Sequence, residues 1–232
     1  MSKTIVIVGF GTGISAAVAE KFGAEGFSVA LVARSRERLD AGVAELKAKG
    51  VAAAAFTADA SDPISVRAAI GNARSKLGPI GVVHWNAYGG GEFGDLATAD
   101  PASVRSVFDV AIVGLLAAVQ EALPDLKNAK TGAVLVTNGA FGEISEQIDA
   151  YAASAKFMGL ALANGAKHKL VGLLAQRLKG EGVYVGEVMV AGTVKGTRFD
   201  TAGTATLESK SIADNFWRLY QARDAIRARI AS

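Results

Sequence analysis

The stretch Thr4–Ser15, TIVIVGFGTGIS, carries five β-branched residues in succession and then glycines at 9, 11 and 13. A run that is apolar at every position is a strand covered on both faces, because a strand with one wet face would alternate. Glycine allows a sharp turn and a close approach of ligand to backbone. The helix that opens behind Gly13 presents unpaired N–H groups and the positive end of its dipole. Strand, glycine turn and helix in that order form a cradle for a phosphate-bearing cofactor. Gly9, Gly11, Thr12, Gly13 and Ile14 are its expected contacts.

Outward from this cradle the alternation continues. FSVALVA is followed by SRERLDAGVAELKAKG, and VAAAAFTAD by DPISVRAAIGNARSKLG. IGVVHWNA, the helical PASVRSVFDVAIVGLLAAVQEALPDL, GAVLVTN, a long helical region from Asp149 to Lys179, and GVYVGEVMVAG come next. Short apolar strands separated by amphipathic helices predict an α/β fold. The expected form is a doubly wound parallel sheet of six or seven strands with helices on both faces, since each crossover lays its helix over the sheet. Gly26, Gly50, Gly78 and Gly182 stand just past helical stretches, where a left-handed cap suits glycine. No linker or repeat interrupts the pattern, so residues 1–232 read as one domain. The tail SIADNFWRLYQARDAIRARIAS predicts a helix with a capping pair at Ser211 and Asp214, then a short last strand.

Composition narrows the function. Half the residues are hydrophobic and a fifth charged, as in folded globular proteins. The net charge of +3 is scattered with no polybasic run, which argues against a nucleic-acid surface despite a pI near 9.1. The absence of cysteine removes disulfides, thiolate catalysis and zinc–cysteine sites together. His84, inside the apolar VVHWNA, reads as a buried, hydrogen-bonded residue, and His168, in AKHKL, as a helix surface residue, so no metal site is expected. No Gly-x-Ser-x-Gly elbow marks a hydrolase. No charge-free stretch reaches transmembrane length, and the start lacks a secretory signal. The expectation is a soluble, cytoplasmic protein acting on a small-molecule substrate, without a membrane or nucleic-acid partner.

Two cofactor classes use a glycine turn of this kind. An S-adenosylmethionine loop of a methyltransferase usually has an acid just before the first glycine and another at the end of the second strand. Here Ile5–Val8 precede Gly9 and the second strand ends ARSRER. Arg34 stands where a dinucleotide with a free ribose would want an acid and one with a 2′-phosphate wants arginine. Arg34 and Arg36 flank Ser35 at a helix start, where the macrodipole disfavours cations and a phosphate would relieve them. NADP(H), held by Arg34 and Ser35, is the expected cofactor; two solvated surface arginines are the alternative.

These motifs resemble the short-chain dehydrogenase/reductase superfamily, a Rossmann-type family, along essentially the whole chain. In the family's turn Gly9 and Gly13 match, and Ser15 replaces the third glycine. The resemblance implies that Asp59, in TAD, meets the adenine amino group, and that Asn86 and Ala87, in WNAY, line the cofactor. The family usually reads Asn-Asn-Ala-Gly there, so Trp85 and Tyr88 depart from it; core packing is the reading favoured for both. Ala111 replaces the central helix's asparagine, which in the family helps hold a catalytic water. AGTVKGTRFD resembles the segment after the sixth strand, where Gly192, Thr193 and Val194 are implied to hold the nicotinamide carboxamide. The loops YGGGEFGDL and RFDTAGTATLE would shape the substrate pocket. Helical faces around Ala111–Leu123 and Tyr151–Leu174 imply a homodimer or homotetramer.

The family's chemistry needs a tyrosine, a lysine four residues on and a serine that orients substrate. Asn138 or Gly139, in TNGAFG, falls at the serine, and Tyr151 follows Asn138 by thirteen residues, the family's usual interval. Lys156, however, stands five residues from Tyr151 rather than four. On a helix that extra residue rotates the pair about 140° apart. Counting back from KGEGV instead puts Leu160 and Asn164 at the two positions, and no Tyr-x-x-x-Lys occurs anywhere. Either a single-residue π-bulge returns Lys156 to Tyr151's side, or the cleft has lost or altered this mechanism. The expected function is therefore NADP(H)-dependent hydride transfer between a carbonyl and an alcohol. Tyr151 would be the acid–base, Asn138 would orient substrate and Lys156 would contact ribose. A non-catalytic dinucleotide-binding regulatory protein is the alternative, and a methyltransferase the weaker one.

Overall fold

In a computed structural model that describes residues 3–89, 93–197 and 199–231, seven strands form one parallel sheet. They are β1 (Lys3–Val8), β2 (Phe27–Ala33), β3 (Ala53–Thr57), β4 (Ile80–Trp85), β5 (Ala133–Gly139), β6 (Tyr184–Ala191) and β7 (Arg227–Ala231). Their order is β3-β2-β1-β4-β5-β6-β7. The alternation of sequence thus becomes the expected doubly wound α/β sheet, with the last strand present.

β1 is buried on both sides because its residues divide between two cores. Val6 and Val8 pack with side chains of α3 (Pro63–Leu77), α6 (Leu115–Asn128) and α8 (Met158–Lys179). Ile5 and Ile7 pack on the other face with α1 (Ile14–Ala24), α2 (Arg36–Ala48) and α9 (Ser209–Ala222). Ser35 caps α2 by accepting from the N–H of Arg38 at 3.3 Å, and Asp62 caps α3 through the N–H of Ile64 at 2.9 Å. Gly26, Gly50, Gly78 and Gly182 all take positive φ, between 75° and 95°, past their helices, though Gly78, with ψ −177°, lies outside the left-handed helical region expected of it. The strand order turns back between β1 and β4, and such a switch point opens a crevice beyond the carboxyl ends of the strands.

Three helical expectations need correction. The region read as continuous from Asp149 to Lys179 is two helices, α7 (Glu146–Ser154) and α8, separated at Lys156. Lys156 takes φ 58°, a left-handed conformation costly for a side-chain residue. Tertiary contacts hold it there: an added Cβ on Gly94 would lie 3.0 Å from the Lys156 carbonyl oxygen, and the N–H of Gly159 donates to Phe93 O at 2.7 Å. No π-bulge joins Tyr151 to Lys156. Among the described residues the π turn is Asp109–Gly114, after the short helices α4 (Pro101–Val104) and α5 (Ser106–Phe108). There Gly114 passes so close to Ala60 O and the Trp85 ring that a Cβ would collide with both.

Ser211 does not cap α9 with Asp214. The helix begins two residues earlier, behind Glu208, and Asp214 lies 3.9 Å from Lys21 instead. The helical run Pro101–Asn128 is long enough to cross a membrane and contains an eighteen-residue window with mean hydropathy 1.8, though, as the sequence reading held, none of that length is free of charge. Here it packs on β4 and α3, with Leu115, Ala118, Ala122 and Leu126 fully buried.

Candidate functional site

The crevice starts at the glycine turn. Gly9 has φ 86° and donates to Val32 O at 2.9 Å; a Cβ on it would sit 2.4 Å from the backbone nitrogen of Ala87. Only glycine lets β1 and β4 close this tightly. Ser15, in place of the family's third glycine, clamps the turn: its Oγ accepts from the N–H of Gly11 at 2.8 Å and donates to Gly11 O at 3.1 Å. Behind Gly13 no side chain caps α1 and no acidic residue occupies its first turn. Gly13 also admits the loop after β6, since an added Cβ would lie 2.8 Å from the methyl of Thr197. Thr197 Oγ1 donates to Val194 O at 2.7 Å, and buried Val194 bridges to Leu207. Gly192, Thr193 and Val194 are thereby brought beside the first turn of α1.

The other expected cofactor contacts gather at the same edge. Asn86 donates its backbone N–H to Val8 O at 2.8 Å and its amide to Gly9 O at 3.2 Å, while its buried Oδ1 has no partner. At the end of β2, Arg36 is held by Asp40, at 2.9 and 2.8 Å, which keeps the Asp40 carboxyl below its usual range. Arg34 is exposed and makes no hydrogen bond or ion pair among the described residues. Asp59, near Arg34, accepts from the N–H and hydroxyl of Ser61 at 2.9 and 2.7 Å. These bonds, more than the charge of Arg34, hold its carboxyl below the ordinary value.

The residues present therefore fit a dinucleotide phosphate. An uncapped helix start and an arginine without a hydrogen bond or ion pair are donors that suit a phosphate, while the orphaned Asn86 Oδ1 is an acceptor and suits a hydroxyl or amide N–H elsewhere on the dinucleotide. A bound nicotinamide would supply or accept hydride.

The far side of the site is built differently. Asn138, at the end of β5, is 2% exposed, and its amide nitrogen donates to Asn164 O at 3.0 Å and to Glu187 Oε1 at 2.7 Å. Its Oδ1 accepts from the N–H of Gly139 at 3.1 Å. Tyr151 is 58% exposed on α7, its ring stacked on Phe141 with centroids 5.8 Å apart. Lys156 is also exposed, beyond the end of α7. Leu160 and Asn164, the positions reached by counting from the helix end, lie on the first two turns of α8, and Asn164 is buried against Gly139. The structure thus brings the glycine turn, Asn86–Ala87 and the loop after β6 together, and places Lys156 in the break that follows the helix carrying Tyr151.

Sequence reasoning missed a buried charge cluster next to Asn138. Glu187 is fully buried; its Oε2 accepts from Arg227 Nε at 3.1 Å and lies 2.8 Å from His168 Nδ1. His168 is therefore an inward-facing partner of a carboxylate, correcting the surface reading. Lys167, 3% exposed, lies within the field of Glu187; burial pushes its ammonium down to about 8, with Glu187 opposing. The signal was a glutamate inside the apolar YVGEVMVA, which a buried strand tolerates only with partners. His84 is buried as expected, 3.1 Å from Thr137 Oγ1, and burial pushes its imidazole down to about 3, so it is neutral.

The WNAY aromatics separate. Trp85 is fully buried, but Tyr88 is 40% exposed, with its ring 5.6 Å from that of Phe199, correcting the core reading for Tyr88. Phe199 helps line a cavity of about 240 Å³ with Thr193, Asp200 and Thr201. Of the two pocket loops, Gly90, Gly91, Glu92 and Arg198 lie outside the described residues.

The short-chain dehydrogenase family profile matches residues 3–205, and the chain belongs to that family of oxidoreductases. Among curated relatives, a 3-oxoacyl-(acyl-carrier-protein) reductase of Staphylococcus aureus is 29% identical over 170 residues, 69% of this chain and 66% of the reductase. An uncharacterised oxidoreductase of Methylorubrum extorquens is 28% identical over 210 residues, 90% of this chain and 80% of its own. Among solved structures, a Sphingobium yanoikuyae short-chain dehydrogenase in complex with NADPH superposes with TM-score 0.80 at 23% identity, covering 98% of this chain and 87% of that one. A Sinorhizobium meliloti 3-ketoacyl-ACP reductase superposes with TM-score 0.84 at 22% identity, covering 98% and 97%.

Proposed function

We propose that this protein binds NADP(H) and transfers hydride between it and a small carbonyl or alcohol, in a cleft whose proton-handling groups differ from the family's. The observation that carries the cofactor is Arg34: at the end of β2 it is exposed and makes no hydrogen bond or ion pair among the described residues, while Arg36 is already taken by Asp40. A 2′-phosphate would give it an ion-pair partner, and the NADPH complex among the structural neighbours supports that reading. Family membership supports the hydride chemistry, and the altered cleft rests on the separation of Tyr151 from Lys156. Arg34→Ala should weaken NADPH about tenfold or more and leave NADH nearly unchanged, because a charge-assisted contact to phosphate is lost. Calorimetric titration of both dinucleotides checks this, and an equal loss for both would remove Arg34 from phosphate recognition.

A second reading, a dinucleotide-binding protein without turnover, is favoured by one feature: Asn138 spends its amide on Asn164 and Glu187, leaving no N–H for a substrate. Tight NADPH binding with no absorbance change across a wide carbonyl and alcohol panel would support it. Subunit pairing into a dimer or tetramer through the helical run Pro101–Asn128 and α8 belongs to the same proposal. Exposed Val113, Leu162 and Leu173 support it.

A further inference from the structure

Asn164 holds an unused hydrogen-bonding group beside the crevice. The residue is 4% exposed and its backbone is pinned from two sides. Its carbonyl oxygen accepts from Asn138 Nδ2 at 3.0 Å, and an added Cβ on Gly142 would lie 2.7 Å from the same oxygen. Its side-chain amide, by contrast, makes no hydrogen bond among the described residues. A carboxamide carries two N–H donors and an acceptor, and burying them unpaired is costly unless a ligand meets them.

The amide is also well placed. Gly139 is the last residue of β5, whose sheet neighbour β4 leads straight into Asn86 and Ala87. An added Cβ on Gly139 would lie 2.6 Å from Asn164 Nδ2 and 3.6 Å from its Cγ, so the amide fills the space that a side chain at 139 would take. With φ −97° and ψ 151°, Gly139 is ordinary extended backbone, and it is the amide rather than conformation that requires glycine there. The amide reaches the end of β5 from the second turn of α8, and the start of α8 is tied to Phe93 O through the N–H of Gly159.

We propose that Asn164 orients the substrate, its Nδ2–H donating to the carbonyl oxygen from the space that Gly139 leaves open. The inference rests on the hydride-transfer reading above and deepens it by naming a donor, since both N–H of the Asn138 amide are already spent on Asn164 O and Glu187. When hydride bonds to the carbonyl carbon, the C=O electron pair moves onto oxygen, and an N–H already aimed at that oxygen stabilises the charge. The Asn164 amide keeps its own protons; water or the cleft's acid supplies the one that completes the alcohol.

The test uses the full chain with NADPH and three carbonyl probes: ethyl acetoacetate, cyclohexanone and benzaldehyde. Asn164→Ala should lower kcat/KM for a reduced probe roughly thirtyfold, mostly through kcat, while NADPH affinity changes less than about threefold. Combining Gly139→Ser with Asn164→Ala returns a hydroxyl donor to the vacated space and should recover about tenfold of that loss, which a scaffold role for Asn164 would not allow. A second measurement needs no variant. In wild type loaded with NADP+, which cannot reduce a ketone, the nitrogen-15 side-chain amide signal of Asn164 should move as the reduced probe saturates. Full turnover in Asn164→Ala, an unmoved amide signal at saturation, or no recovery in a folded double variant would each overturn the assignment and leave hydride transfer standing. Reduction of none of these probes, nor of any member of the wide panel above, would overturn the hydride-transfer reading and the assignment with it.

Discussion

The two halves of the site differ in how their polar groups are used. Around β1, β2 and β4 the turn is tight and its hydrogen-bonding capacity is open: α1 is uncapped, Asn86 Oδ1 is orphaned and Arg34 is unpaired. Around β5, β6 and α8 the polar groups pair with one another: buried Asn138, Asn164 and Glu187 are joined, and half-buried His168 and exposed Arg227 reach Glu187 from outside. Open polar groups await a ligand, whereas closed ones hold a scaffold together. The same contrast appears in mechanics, since the first half depends on glycine and the second on charge pairing.

The glycine half should break hardest. Gly9→Ala places a Cβ at 2.4 Å from the Ala87 nitrogen in a residue with φ 86°, so backbone strain and a clash with main chain combine. We expect a loss of about 3 kcal/mol or more in urea unfolding, together with loss of NADPH binding. A variant as stable as wild type would show that β1 and β4 separate easily and that the tight turn is not what shapes the crevice.

The charge-paired half should reveal itself through pH. Lys167 has its folded value pushed down to about 8 from 10.5. Between those values the unfolded chain holds a proton that the folded chain has released, so stability rises with pH through this window. The gain is complete above 10.5 and is lost as pH falls through 8. The slope it contributes is at most about 1.4 kcal/mol per pH unit. Urea midpoints from pH 8 to 10 should climb for wild type and stay flatter for Lys167→Met. Parallel slopes would place the titration elsewhere and remove Lys167 from the cluster's energetics.

Legibility in the sequence followed the same division. The buried strands and the glycines past the helices were readable because each depends on local chemistry: β-branched runs, and glycine where φ is positive. The break at Lys156 was not readable, because Ala155, Lys156 and Phe157 include no glycine, proline or asparagine to announce it. It is imposed by packing of Phe93 and Gly94, distant in sequence, against the α7–α8 junction. The π turn at Asp109–Gly114 likewise answers to Ala60 and Trp85 rather than to its own residues. His168 and Lys167 looked like an ordinary helix surface because the partner that draws them inward, Glu187, lies on another strand.

The smallest expected effect is the most discriminating. Tyr151→Phe keeps the ring that stacks on Phe141 and removes only a hydroxyl that bonds to no described residue. A surface change of this kind should alter stability by less than about 0.5 kcal/mol, and NADPH affinity should not move. Tyr151→Ala, which also removes the stack, should cost about 1 kcal/mol. If a substrate panel yields turnover, Tyr151→Phe decides which half of the comparison carries the chemistry. Abolished turnover with unchanged stability and cofactor affinity would make the exposed phenol the acid–base despite the helix break. Unchanged turnover would assign proton transfer to water or to another group of the cleft, and the family's tyrosine position would then be occupied in this chain by Leu160.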